Sequence, residues 1–211
     1  MEIIPALNCA ILDFDCIKQK VRVAERLSDW IHLDVADGRF TFNKTWGDSK
    51  GWKTLGTKLK LEVHLMVEEP EKHAEAWLEA GAKRLIVHAE TLSGETAEKI
   101  LALAKQYGAE AMLAFSPETN PESAAYSDKF SEFQILAVHP GLPAQSFLPL
   151  VLDKIKFLRG KYPRARIEVD GGINAETGKT AKSAGADILI SASYIFGDTN
   201  PSKAYKSLLV C

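Results

Sequence analysis

The sequence has no long hydrophobic run: its apolar stretches fall well short of the roughly 20 residues of a membrane-spanning helix. The chain opens on Glu2, Ile3, Ile4 and Pro5, without a charged region followed by a long apolar one. Neither secretion nor membrane insertion is therefore expected. No charge of one sign dominates, since 26 Lys and Arg against 28 Asp and Glu leave a formal net charge of -2. The chain lacks the domain-wide basic field that would hold nucleic acid or an anionic membrane surface, so an anionic substrate needs a local site. Cysteine is scarce. Cys9, Cys16 and Cys211 are odd in number, and their spacing matches no zinc or redox motif. Reduced thiols and a cytoplasmic location follow as the expectation. Low-complexity stretches and linkers are missing as well, so residues 1–211 read as one domain.

What the sequence does contain is a recurring unit of short apolar run, polar turn and helical pattern. The runs fall at residues 3–7, 30–35, 59–66, 84–88, 111–115, 133–138, 166–169 and 187–191. They are spaced by roughly 20 to 30 residues, the size of one strand plus one helix. Helical patterns are expected at 14–27, 71–80, 95–107, 121–126, 149–160, 175–184 and 201–208, with a weaker one at 49–55. Asn174 is a plausible N-cap, and Gly81 and Gly108 suit the position just past a helix end. Eight alternating units leave a closed eight-stranded (β/α)8 TIM barrel or an open doubly wound sheet. The open sheet signals itself by a glycine-rich turn after its first strand. Here that turn reads Asn8, Cys9, Ala10, Ile11, which favours the barrel.

Catalytic groups of such barrels project from the C-terminal ends of the strands, and residues two apart share a face. His32 and Asp34 therefore point one way while Ile31, Leu33 and Val35 point the other. Glu62, His64 and Met66 share a face, as do Glu168 and Asp170, and the fourth run ends in Val87-His88. With the aliphatic face turned to the helices, the polar one lines the interior. Ionisable groups there are costly unless paired or bound to a cation. Two imidazoles and two carboxylates make a sound ligand set for a divalent first-row metal. Taken singly, each has another reading: His32 and His64 as satisfied core histidines, Asp34 and Asp170 as turn formers or helix caps. Glu62 and Glu168 read as buried partners of lysines.

His32-Leu33-Asp34-Val35-Ala36-Asp37-Gly38 with Phe40 and Asn43 resembles the H-x-D-x-x-D-G-x-F-x-x-N signature of the ribulose-phosphate 3-epimerase family. Val63-His64-Leu65-Met66 and Glu168-Val169-Asp170-Gly171-Gly172-Ile173 resemble further segments of it, and Pro140-Gly141 with Gln145-Ser146-Phe147 resembles its phosphate loop. The resemblance implies a TIM barrel with one catalytic divalent cation (Zn, Fe, Mn or Co) on His32, Asp34, His64 and Asp170. It implies that Asp34 and Asp170 form the acid/base pair of a ketose-phosphate 3-epimerase of the pentose phosphate pathway. One carboxyl would remove a proton beside the ketone and the other would deliver one to the opposite face. The metal would act as a Lewis acid on the enediolate. Ribulose 5-phosphate/xylulose 5-phosphate, a hexulose phosphate or a less tightly held ketose would be the substrate. Substrate contacts are expected at Cys9, Met66, Gly141, Gly171, Gly172, Ala192 and Ser193. Family members are commonly homo-oligomers, and the resemblance extends that expectation to this chain.

The sequence also departs from the family. Ala36 and Leu136 stand where two of its methionines lie, Cys9 replaces a serine, and Ala192-Ser193 replaces Gly-Ser. The family loop P-G-F-G-G-Q reads Pro140-Gly141-Leu142-Pro143-Ala144-Gln145, and Pro143 has no N–H to offer a phosphate. His139, just before this loop, either adds positive charge near a phosphate or faces solvent. These changes motivate an alternative, a non-catalytic metal- or sugar-phosphate-binding barrel. An orotidine-phosphate-decarboxylase-like enzyme fits worse, because its Asp-x-Lys-x-x-Asp pattern has Ala36 in place of the lysine.

Overall fold

A computed structural model of the protein describes residues 1–10, 12–141 and 145–210. Eight parallel strands close into a barrel in sequence order, β1 pairing with β8. They are β1 (Glu2–Leu7), β2 (Trp30–Ala36), β3 (Lys60–Met66), β4 (Arg84–His88), β5 (Glu110–Phe115), β6 (Glu132–Leu136), β7 (Arg166–Asp170) and β8 (Ile188–Ser191). All eight expected strands are present, with no end shifted by more than two residues. The helices are α1 (Phe14–Ala24), α2 (Ser49–Lys53), α3 (Pro70–Glu79), α4 (Gly94–Gln106), α5 (Val151–Lys161), α6 (Ala175–Ala184), α7 (Ser193–Phe196) and α8 (Pro201–Leu209). None is long and apolar enough to cross a membrane. One expected helix is corrected. Residues 121–126 form no α-helix; two 3-10 turns, Pro121–Ser123 and Ser127–Lys129, join β5 to β6. Here the Ser123 and Ser127 hydroxyls donate to the Asn120 and Ala124 carbonyls, a local bonding pattern that competes with a continuous helix.

Strand alternation sorts the core into two compartments. Ile31, Leu33, Val35, Leu61, Val63, Leu65, Leu85 and Val87 face outward and pack with helix residues such as Ile17, Trp77, Ile100 and Ile155. A separate inner cluster holds Ile4, Ala6, Ile86, Met112, Ala114, Ile188 and Ile190. The rest of the interior is polar. His32, Glu62, His64, Arg84, His88, Gln134 and Glu168 are all fully buried.

Arg84 is the partner of the buried carboxylates, which corrects the expected lysines. At the N-terminal end of β4 it ion-pairs with Glu62 and donates from Nε to Glu110 at 3.0 Å. Its Nε also lies 3.1 Å from Glu132 Oε2, and its Nη1 lies 3.7 Å from Glu168 Oε2. The guanidinium plane rests 4.5 Å from the Trp30 ring centroid. Burial lifts the Glu168 carboxyl to about 8, and the neighbouring Glu62 charge adds to that shift. One guanidinium thus sits beside two fully buried carboxyls, and the Glu168 one is held largely protonated at neutral pH.

Arg84→Met should cost about 3–5 kcal/mol, because removing one member of a buried charge cluster strands the others. Chemical denaturation checks this, and a loss below about 1 kcal/mol would contradict the pairing. Glu168 yields a pH prediction. The folded state keeps a proton on this carboxyl that the unfolded chain releases near 4.5, so stability falls as pH rises from that value through about 8. With no divalent cation added, Glu168→Gln should flatten that decline, and an unchanged pH slope would count against it.

Candidate active site

The C-terminal ends of the strands form the mouth of the barrel, and the local sequence explains its shape. Asp37 folds the loop after β2: its Oδ1 accepts from the Arg39 and Phe40 N–H groups and its Oδ2 from the Glu68 N–H. Thr45 ties the same loop to β2, its hydroxyl donating to the Asp34 carbonyl at 2.6 Å. After β7 the backbone turns through Gly171 and Gly172 at φ +108° and +65°. A Cβ on Gly171 would lie 2.6 Å from Val138 Cγ2, and one on Gly172 would lie 2.4 Å from the Phe147 nitrogen. Only glycine fits both the conformation and the space. Asn174 then caps α6, accepting from the Glu176 and Thr177 N–H groups.

At the base of this mouth the structure brings together all four residues singled out as ligands. Asp34 Oδ1 lies 3.3 Å from His32 Nε2 and 3.1 Å from His64 Nδ1. Asp170 Oδ2 lies 3.8 and 3.6 Å from the same two nitrogens. One ligand atom from each residue falls within 4.8 Å of every other, and all four groups are buried. Donors about 2.0–2.2 Å from one tetrahedral ion lie roughly 3.3–3.6 Å apart. The four nitrogen–oxygen separations bracket that range, so the residues fit a divalent cation. A second grouping, His32 with Glu62 and Glu168, already faces a cation, the Arg84 guanidinium.

Electrostatics point the same way. Burial alone would lower the His32 and His64 pKa values. Both rings donate to the Asp34 carboxylate, with Glu62 as a further partner of His32 and Asp170 of His64, and these carboxylates reverse the sign and raise both. Burial works to raise Asp34, yet its two histidine partners hold it below the usual carboxylate range. The cluster is thus an anionic pocket that draws positive charge, supplied by protons or by an ion.

A cleft of about 600 Å³, part of it open to solvent, stands over the cluster. Asp34 and Asp170 reach it from β2 and β7, and Met66, Gly141, Gly171, Gly172, Ala192 and Ser193, positions at which substrate contacts were expected, line it. Leu136 also lines it, so the wall stays apolar where the family signature has a methionine. Among the described residues, nothing accepts from the Gly172 or Ser193 N–H. His139 sits on the rim, exposed to solvent, with Nδ1 2.9 Å from Glu118 Oε1, which accords with the solvent-facing one of its two readings. The loop positions Leu142, Pro143 and Ala144 lie outside the described residues, as does Cys211.

Two expectations about cysteine are corrected. Cys9 is joined to Cys16 in a disulfide, where reduced thiols were expected. It is 5% exposed and is not among the residues lining the cleft. Its side chain turns toward α1, while the preceding Asn8 faces the cleft and donates from Nδ2 to Asp34 Oδ2 at 3.4 Å. Sequence reasoning missed Asn8, although one step of strand alternation separates it from Cys9. It also named His88 without a role. That ring is fully buried, lies against Phe40 at 4.5 Å between centroids, and places Nε2 2.8 Å from His64 Nε2.

Comparison with known proteins agrees with this architecture. Residues 3–196 match the family described as ribulose-phosphate 3 epimerase family. The ribulose-phosphate 3-epimerase of Chlamydia trachomatis is 37% identical, across 94% of this chain and 88% of the relative. That of Bacillus subtilis is 34% identical across 93% of each. Among solved structures, KGPDC from Streptococcus mutans in complex with D-R5P superposes with a TM-score of 0.75, over 99% of this chain and 95% of that one. Its 14% identity speaks for the barrel fold alone. With the family matched along nearly the whole chain and the four-residue cluster assembled at the mouth, the chain belongs to the ribulose-phosphate 3-epimerase family.

Proposed function

We propose that the protein inverts the carbon beside the ketone of a ketose phosphate, with ribulose 5-phosphate and xylulose 5-phosphate as the first pair to test. The observation that carries this reading is the convergence of Asp34 and Asp170 from β2 and β7 onto the base of one cleft. Inversion at a carbon acidified by its neighbouring carbonyl needs a base on one face and an acid on the other. Asp34, kept ionised by His32 and His64, takes the proton. The electron pair left behind delocalises into the carbonyl, giving a planar enediolate. Asp170 returns a proton to the opposite face, and the reverse reaction exchanges the two roles. Asn8 steadies the Asp34 carboxylate through its second oxygen. Met66 and Leu136 wall the planar intermediate without offering it a proton.

A divalent cation on His32, Asp34, His64 and Asp170 supplies the Lewis-acid charge that stabilises negative charge developing on the sugar oxygens. Zinc, iron, manganese and cobalt all accept this mixed nitrogen and oxygen set. The free N–H groups of Gly172 and Ser193 hold the phosphate, as backbone amides at such turns do. The ribulose-phosphate 3-epimerases to which the chain is 34–37% identical support a sugar phosphate in the cleft.

Incubation with ribulose 5-phosphate in deuterated buffer should place deuterium at C3 and form xylulose 5-phosphate. Asp34→Asn and Asp170→Asn should each lower turnover by at least about a hundredfold, the scale of a lost proton-transfer group. Near-normal turnover in either variant would remove the two-carboxylate assignment. Removing divalent ions with a chelator should abolish exchange, and one of the four metals should restore it. Absence of exchange with a panel of ketose phosphates in metal-loaded protein would leave a sugar-phosphate-binding barrel instead.

A further inference from the structure

We propose that His88 and Glu90 are positioning residues that fix the tautomer of His64, so that its Nδ1 lone pair faces the ligand cluster. The inference rests on the cation reading of that cluster. The cluster-facing atom of His64 is Nδ1, 3.1 Å from Asp34 Oδ1 and 3.6 Å from Asp170 Oδ2. A ring nitrogen binds a cation only through a lone pair, so the single ring proton of His64 must then sit on Nε2. That N–H is buried and needs an acceptor. His88 Nε2, at 2.8 Å, is the atom in place. It can accept only if His88 keeps its own proton on Nδ1, and there Glu90 Oε2 waits at 2.9 Å. An ionised carboxylate accepts and never donates, so it sets the direction of the whole chain. Glu90 is itself held in place, its Oε1 accepting from the Ser116 N–H at 2.9 Å. Proton positions thus run in one order: His88 Nδ1–H donates to Glu90, and His64 Nε2–H donates to His88.

The other imidazole solves the same problem without an intermediary. His32 Nδ1 lies 2.8 Å from Glu62 Oε1, which leaves Nε2 for the cluster. The two histidines therefore present different ring nitrogens, Nε2 from β2 and Nδ1 from β3. The difference follows from where their carboxylates stand. Glu62 sits toward the N-terminal end of the barrel beside His32, whereas Glu90 lies just past the end of β4 and reaches His64 only through a second ring. His88 adds no ligand to the cluster. It carries a tautomer instruction from the rim to the centre.

The test combines spectroscopy with metal affinity. Zinc-loaded protein with 15N-labelled histidine should show His64 bound through Nδ1 with its proton on Nε2, and His32 bound through Nε2. In cobalt or zinc titrations of chelator-stripped protein, His88→Phe should weaken binding by about 10- to 100-fold, the usual effect of losing an outer partner of a metal-bound histidine. His88→Gln, whose amide oxygen can accept from His64 Nε2–H, should recover most of that loss. His64 coordinated through Nε2, or His88→Phe binding as tightly as the unaltered protein, would overturn the proposal and leave the cation site standing. Unaltered protein that takes up no divalent ion would overturn both. The resonance assignment is made on the unaltered chain, so it decides even where the phenylalanine variant fails to fold.

Discussion

Burying charge inside a closed barrel is the constraint on which the rest of this structure depends. Half of the interior is apolar, supplied mainly by β1, β5 and β8. The other half, from β2, β3, β4, β6 and β7, carries imidazoles, carboxyls, an amide and one guanidinium, all shut away from water. An unpaired charge there would cost several kcal/mol. The chain meets this in two layers. Arg84 serves the carboxyls near the N-terminal end, and the two aspartates and two histidines serve one another at the mouth. His32 and Glu62, bonded at 2.8 Å, couple the layers, so the site and the barrel floor form one electrostatic unit.

Much of this was legible in the sequence because it follows from a period of two. A strand that reads Ile31-His32-Leu33-Asp34-Val35 commits its polar residues to one face as soon as its apolar ones are given to the helices. The same reasoning placed His64, Met66 and Asp170. What alternation cannot tell is which residue of a distant strand lies opposite. Arg84 opens β4 and looks like a strand-end charge; only barrel closure brings it among Glu62, Glu132 and Glu168. The chain from Glu90 through His88 to His64 was hidden for the same reason, since it crosses between strands. The Cys9–Cys16 disulfide was hidden for another. Seven residues apart, the two become neighbours only because the chain turns after β1 into α1. Asp37 was legible as part of a motif but not as to its task, which is to fold a loop through three backbone N–H groups.

The divergent stretch 142–144 and the retained cluster belong to different parts of the chain. Asp34, His32 and His64 stand on β2 and β3, whereas the substituted loop follows β6. A closed barrel lets these parts vary separately, because each loop is anchored to its own strand. The glycines after β7 lie between the two regions. Close contact with Val138 and Phe147 ties them to the segments flanking the altered loop, while Asp170, one residue before, belongs to the cluster.

The buried Arg84 cluster also makes the barrel a blind tube. Guanidinium and carboxyls fill its lower end, so the proposed sugar would share one doorway at the upper rim with water and hydronium. A ligand lying across that rim separates the two aspartates from bulk solvent. In the proposed reaction, a hydrogen lifted from it would pass only between those carboxyls and the ligand itself until the doorway clears.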